Sequence, residues 1–128
     1  MPKACNRFNV IYQATTREEH PKKYIGSTKA FKSRYSTHKA SFKNETKNQT
    51  ALSRYLWETD QQGENPNLKW EILMEAVPYT PGSRGCNLCL TEKLLILKNS
   101  QNPSYLNKRS ELAQSCRHRA EWRLDKML

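Results

Sequence analysis

The chain has 128 residues, and its 22 lysines and arginines outnumber 12 aspartates and glutamates, so that the net charge is +10. This length fits one domain, residues 1–128, and excludes a large multidomain enzyme. The mean hydropathy is −0.94, and no apolar run approaches the roughly 20 residues that span a bilayer, so we expect no membrane partner. The chain also does not open on a basic and then apolar leader, and we do not expect secretion.

The positive charge is concentrated in the first part of the chain. Residues 1–50 hold 11 basic and 3 acidic side chains, whereas residues 51–128 hold 11 and 9. An excess of positive charge of this size favours a polyanionic partner. The alternative is that the basic side chains only keep this surface solvated.

The first half predicts a hairpin followed by a helix. Asn9–Gln13 and Lys23–Gly26 are short, rich in β-branched and aromatic residues, and separated by a polar connection, as in two antiparallel strands. Ala30–Lys43 carries apolar positions on helical spacing without an internal Gly or Pro, which predicts the first helix. Arg34 and His38 are four residues apart on it and should project side by side.

A second helix and a third strand follow. Thr50 is placed to cap the helix, which Gly63 and Pro66 end. Apolar residues then alternate with charged ones from Leu68 to Met74, broken only by Leu73, as in a sheet with one buried face. The sequence therefore predicts an α+β fold with a small three-stranded antiparallel sheet flanked by helices.

Two further helices complete the prediction. Cys89 to Lys98 is one of them, with an apolar side made of Leu90, Leu94, Leu95 and Leu97. Asn107 is placed to cap the other, which runs to Cys116 or on to Leu124.

The cysteines are typical of a metal site. Cys86-x2-Cys89 has the spacing of a metal knuckle, and Cys116-x-His118 follows after 26 intervening residues. This pattern predicts a structural Cys3His zinc site with no open position for chemistry, and Cys5 lies outside it. The alternative is a set of buried, inert cysteines with His118 at the surface.

Six separate polar positions follow one another in a specific order and spacing. They lie in Val10-Ile-Tyr12, in Tyr24-Ile-Gly26, and at Arg34, His38, Glu92 and Asn107. These positions resemble the GIY-YIG nuclease superfamily over nearly the whole chain, from about Asn9 to about His118. Val10 stands where the family has its first glycine.

Three segments of the C-terminal part carry a narrower similarity: Cys86–Leu94, Leu106–Leu112 and Cys116-Arg-His118. They are similar to the endonuclease domain that Penelope-like retroelements carry after their reverse transcriptase. The similarity implies a nuclear protein that nicks DNA to expose a 3′ hydroxyl for reverse transcription. It also implies a reverse transcriptase domain in the same parent polypeptide.

The superfamily resemblance makes Tyr12 the general base, directly or through water, with help from Tyr24. Basic neighbours and a metal would lower the pKa of a phenol from about 10. Arg34 can offer a bidentate fork to phosphate oxygens. His38 would bond Tyr12 or the attacking water, or contact DNA. Asn107 would orient the site by hydrogen bonds, unless it is only a helix cap.

Glu92 is the candidate ligand for a catalytic Mg²⁺ or Mn²⁺. A single carboxylate suits Mg²⁺, which binds few protein ligands and keeps much of its water. The alternative is a surface charge paired with Lys93 or another neighbour.

The resulting prediction is a metal-dependent DNA endonuclease. An inactive DNA-binding module of the same fold and a zinc-dependent interaction domain are the alternatives. The expected DNA-binding residues are Lys29, Lys32, Lys39 and Lys43.

Overall fold

The computed structural model of the chain describes residues 7–46, 50–63, 66–82, 85–113 and 116. These residues form three strands, three α-helices and one 3₁₀ helix, which confirms the predicted α+β class. In chain order they are β1 (Phe8–Thr16), β2 (Lys23–Ala30), α1 (Phe31–Lys43), α2 (Ala51–Glu58), β3 (Leu68–Glu75), α3 (Asn87–Lys98) and the 3₁₀ helix (Arg109–Ala113).

The three strands form an antiparallel sheet in the order β2-β1-β3. The central strand β1 is buried on both faces, so that the polar Gln13 and Thr16 are buried along with its apolar residues. Val10, Tyr12 and Ala14 lie in one core, and Ile11 lies in the other.

The two cores lie on opposite faces of the sheet. Helices α1 and α2 cover the first face, where Phe31, Phe42, Leu52 and Leu56 are buried. Helix α3 covers the second with Leu88, Ile96 and two cysteines. The sheet therefore separates a face packed by aromatic and aliphatic residues from a face packed by sulfur and aliphatic residues.

A bulge explains the broken alternation in β3. Tyr12 pairs with Ile72, whereas Ile11 pairs with Met74, so that Leu73 is the extra residue. Before the bulge, Trp70 and Ile72 pack against the core that contains Tyr12, as the period of two predicts.

The predicted cap of α2 is confirmed and is reciprocal. Ser53 N donates to Thr50 Oγ1 at 3.1 Å, and Thr50 N donates to Ser53 Oγ at 2.8 Å. Two groups at the helix N-terminus are thus satisfied by one pair of side chains.

The predicted apolar side of α3 is largely wrong. Leu90, Leu94 and Leu97 are more than half exposed, and the buried residues are Leu88, Cys89 and Ile96. Because this helix carries leucines around most of its circumference, their spacing does not reveal which side meets the sheet. The helix also begins earlier than predicted, with Cys86 as its N-cap.

The predicted final helix is also wrong within the described residues. Only the short 3₁₀ helix follows Asn107, and Leu124 lies outside the described part of the chain. No helix in the described ranges is long and apolar enough to cross a membrane.

We expect Leu88→Ala and Leu94→Ala to differ sharply although both leucines lie on α3. Leu88 is 0% exposed, and its truncation should lower the free energy of unfolding by about 2–5 kcal/mol. Leu94 is 56% exposed, and its truncation should change stability by less than about 0.5 kcal/mol. Urea unfolding of both variants measures this, and equal losses would contradict the orientation of α3.

Candidate functional site

The hydroxyl of Tyr12 lies at the centre of the candidate site. Tyr12 is 0% exposed and sits in the middle of the central strand. Arg34 donates from Nε to the Tyr12 hydroxyl at 3.2 Å, and His38 Nε2 lies 2.6 Å from the same oxygen. One phenol oxygen thus links a guanidinium and an imidazole.

Helix α1 supplies both partners, as the four-residue spacing predicts. Arg34 is half-buried, and His38 is buried against the rings of Phe42 and Trp70. A direct DNA contact by His38 is therefore wrong for this structure, because its side chain is only 1% exposed. The structure instead contains the hydrogen bond between His38 and Tyr12, which is the other predicted role of His38.

Gly26 makes room for Tyr12. The two residues are cross-strand partners on β1 and β2. A Cβ atom at position 26 would overlap the hydroxyl and ring of Tyr12. Position 26 of the Tyr24-Ile-Gly26 segment therefore requires glycine because the Tyr12 side chain leaves no space for a Cβ atom. An unusual backbone angle is not the reason.

Tyr24 lies beside the Tyr12 cluster and has a different electrostatic environment. Burial, the neighbouring Tyr12 and the charges of Glu111 and Glu92 raise the pKa of its phenol, and Arg34 opposes them only in part. Tyr24 therefore stays protonated at neutral pH and can donate a hydrogen bond. Burial alone would lower the pKa of the Arg34 guanidinium, but both tyrosines outweigh burial and raise it.

Glu92 belongs to the Tyr24 side of the site. It lies half-buried on α3, and its charge acts on the Tyr24 phenol. Helix α3 packs against β2, the strand that carries Tyr24.

Asn107 anchors the chain beside Tyr24 instead of capping a helix. Its Oδ1 accepts from the backbone N–H of Ile25 at 2.8 Å, and its Nδ2 donates to the Ile25 carbonyl at 2.8 Å. The preceding residues also pair with the outer edge of β2, through Lys23 N to Ser104 O and Leu106 N to Lys23 O, both at 2.7 Å. Asn107 is thus a positioning residue that fixes this segment against the edge of β2.

Glu111 is a site residue that sequence reasoning missed. It lies on the 3₁₀ helix, its Oε2 accepts from Lys108 N at 2.8 Å, and its charge acts on Tyr24. The only signal in the sequence is its position four residues after Asn107. The charge of a second carboxylate thus acts on Tyr24, besides that of Glu92.

Trp70 is a second omission. Its ring lies 6.0 Å from that of Tyr12 and 5.5 Å from that of His38, measured between centroids. The alternation of β3 predicts that this tryptophan is inward-facing, but only the strand order places it beside the site.

The four predicted DNA-binding lysines divide between two elements. Lys29 is half-exposed near the end of β2. Lys32, Lys39 and Lys43 lie on α1, and Lys39 Nζ is 5.8 Å from the centre of the Tyr35 ring.

Three of the four predicted zinc ligands converge. The Sγ atoms of Cys86, Cys89 and Cys116 all lie within 4.8 Å of one another, although 26 residues separate the last two in the sequence. Sulfur ligands at about 2.3 Å from one tetrahedral zinc ion are about 3.8 Å apart, so the cluster can hold a metal ion such as zinc. His118 and Cys5 lie outside the described residues.

The surroundings of the cysteines suit a metal ion as well. Burial raises the pKa of the Cys86 and Cys89 thiols, so a bound cation would be needed to hold them as thiolates. The Tyr79 hydroxyl lies 3.4 Å from Cys116 Sγ. Since Cys86 caps α3 and Glu92 lies one turn beyond Cys89, the cluster fixes the start of the helix that carries the carboxylate.

Comparisons of the chain with protein-family models, curated proteins and solved structures find no match. The role of the candidate site is therefore inferred from the contacts within this chain.

We expect Gly26→Ala to lower the free energy of unfolding by about 1–3 kcal/mol, because the new methyl group meets the Tyr12 hydroxyl. Adding Tyr12→Phe should recover part of this loss, which a double-mutant cycle in urea measures. Gly85→Ala is the control, since a Cβ there meets nothing within 4 Å. Strictly additive losses would contradict the contact.

Metal analysis of protein purified without added zinc should give about one zinc ion per chain. Cys89→Ser should lower both the zinc content and the melting temperature, because structural zinc binding is coupled to folding. Cys5→Ser, outside the predicted ligand set, is the matched control and should change neither. Well-folded protein without zinc would contradict the metal site.

Proposed function

We propose that the chain is a metal-dependent DNA endonuclease. The observation that carries the proposal is the buried Tyr12 hydroxyl held between Arg34 Nε and His38 Nε2. Hydrolysis of a phosphodiester needs a nucleophilic water, positive groups that neutralise the developing charge, and a stabilised leaving oxygen. These requirements match a phenol that is linked to a cation and to an imidazole.

In the proposed reaction Tyr12 passes a proton between water and His38. With neutral His38 accepting at Nε2, the Tyr12 hydroxyl donates to His38 and accepts from Arg34. Loss of a proton from the attacking water to the phenol oxygen is then coupled to transfer of the phenol proton to His38. As the water oxygen bonds to phosphorus, the bond between phosphorus and the 3′ oxygen breaks, and the leaving 3′ oxygen takes a proton from solvent. The imidazole lies within hydrogen-bond reach of the phenol, as general base catalysis requires.

Arg34 has two roles in this proposal. In the present geometry it bonds to Tyr12, whose side chain is fully buried. A phosphate that draws the guanidinium away would give water access to the phenol oxygen. The guanidinium would then stabilise the charge on the phosphate oxygens, which grows in the transition state.

Glu92 is the proposed holder of Mg²⁺ or Mn²⁺. Its carboxylate is a hard oxygen ligand, and its charge, like that of Glu111, acts on the Tyr24 phenol. A divalent cation bound there supplies positive charge for the phosphate and the leaving 3′ oxygen. Tyr24, kept protonated, contributes a hydrogen bond to the same region.

The zinc site is proposed to be structural, with His118 as the fourth ligand. Four protein ligands leave zinc no open position for chemistry. The site would instead tie the 3₁₀ helix region to the start of α3, and so hold Glu92 relative to β2.

The biological setting is proposed from the resemblance to Penelope-like elements. The chain would act in the nucleus as the nicking domain of a polypeptide with a reverse transcriptase. It would expose the 3′ hydroxyl from which synthesis begins.

Supercoiled plasmid with Mg²⁺ or Mn²⁺ tests the proposal. Wild-type protein should nick it, and Glu92→Gln should lower the rate by about 100-fold or more while DNA affinity is kept. Arg34→Ala should lower both cleavage and affinity, with a loss of about 1.5–3 kcal/mol for a hydrogen bond to a charged group.

Glu71→Gln is the matched control, because this half-buried carboxylate accepts from Gln13, which points to the opposite face of β1 from Tyr12. It should cleave as wild type does. Binding of DNA without cleavage would identify an inactive binding module, and absence of both would favour a zinc-dependent interaction domain. Either result overturns the proposed activity.

A further inference from the structure

The outward side of α1 carries a row of positive charge. Lys32, Lys39 and Lys43 recur at intervals of seven and four residues, which places them along one line of the helix. The row is about 16 Å long at 1.5 Å per residue. The whole of α1, residues 31–43, contains no acidic side chain.

A strip of hydroxyl groups connects this row to the candidate site. At 100° per residue, Ser36, Ser33 and Thr37 follow one another around the helix between the lysine row and Arg34. Ser33 and Ser36 are exposed, and Thr37 is half-exposed. Ser36 Oγ and Thr37 Oγ1 now donate to helix carbonyls at 3.2 and 3.1 Å, and rotation of each hydroxyl can redirect that proton to a ligand.

The chemistry of this surface fits a phosphate backbone. Lysines, serines and threonines are common phosphate contacts, and small side chains let the backbone approach the helix closely. An anionic membrane is a poorer fit, because the outward positions lack the large apolar side chains that insert into lipid. Apart from Arg34, the outward side also lacks the Arg, Asn and Gln side chains that read base edges.

We propose that one strand of a nucleic acid lies along α1, with its phosphates on the lysine row and the hydroxyl strip, and reaches the site at Arg34. The surface binds the backbone without reading sequence. This inference rests on the proposed function, since it assumes that Arg34 handles a phosphate, and it adds Ser33, Ser36 and Thr37 as binding residues.

The experiment measures binding of labelled 20-base-pair duplexes by anisotropy, as a function of salt and without added divalent cation. Lys32→Gln with Lys43→Gln should lower the log–log salt slope by up to about 1.8, at about 0.9 for each phosphate that the protein no longer neutralises. Lys69→Gln with Lys98→Gln is the matched control, because both lysines are exposed and lie on β3 and α3. It removes the same net charge and should leave the slope within about 0.5 of wild type.

A second pair of variants tests the hydroxyl strip. Ser33→Asp should weaken binding at least tenfold by repelling phosphate, whereas Ser100→Asp, at an exposed position after α3, should not. The change at Ser33 falls in the first turn of α1, where an acidic residue stabilises a helix, so unfolding would not account for the loss. Two duplexes of unrelated sequence should bind with equal affinity.

Equal slope changes in the two lysine pairs would overturn the proposal, because net charge alone would then explain binding. Preferential binding to vesicles of anionic phospholipid, abolished in the α1 pair, would overturn it in favour of a membrane. Binding that depends on α1 in a protein that never cleaves would support the surface and refute only the endonuclease.

Discussion

The burial of the Tyr12 hydroxyl is the constraint on which the other features of the site depend. A phenol oxygen without exposure must have partners, since an unsatisfied polar group in a core costs about 1–3 kcal/mol. Arg34 and His38 supply these partners from one helix, and Gly26 supplies the space. The contact thus fixes how α1 lies on the sheet and which residue faces Tyr12 across the hairpin.

The second face of the sheet supports this arrangement through apolar packing and through the cysteine cluster. There α3 packs with Leu88 and Ile96, and the cysteines join its first turn to Cys116. Carboxylates from α3 and from the 3₁₀ helix then act on Tyr24 at the edge of β2. One face therefore positions the phenol and its cationic partner, and the other positions the negative charge.

Local patterns predict the parts of the site that lie close together in the sequence. The spacing of Arg34 and His38 places both on one side of α1, and the alternation of β3 breaks at Leu73, where the structure has its bulge. Cys116 lies beside Cys86 and Cys89, as expected for three cysteines that can bind one zinc ion.

Features that depend on packing could not be predicted in the same way. The exposed leucines of α3 have the same spacing as buried ones, and only contact with the sheet distinguishes them. The roles of Trp70 and Glu111 depend on the strand order and on how the chain returns to β2. Asn107 looks like a helix cap in the sequence because the same amide that caps a helix can also pair with a strand backbone.

The segment from Asn107 to Cys116 is held at two points of different chemistry. At one end an amide forms two hydrogen bonds with the backbone of β2, and at the other a sulfur atom meets two thiols at the start of α3. Glu111 lies between these attachments. The two amide bonds need no ion, whereas a metal held by the thiols would add a second fixed point. With the sulfur end unbound, the position of Glu111 along this segment would be set by the backbone of β2 alone.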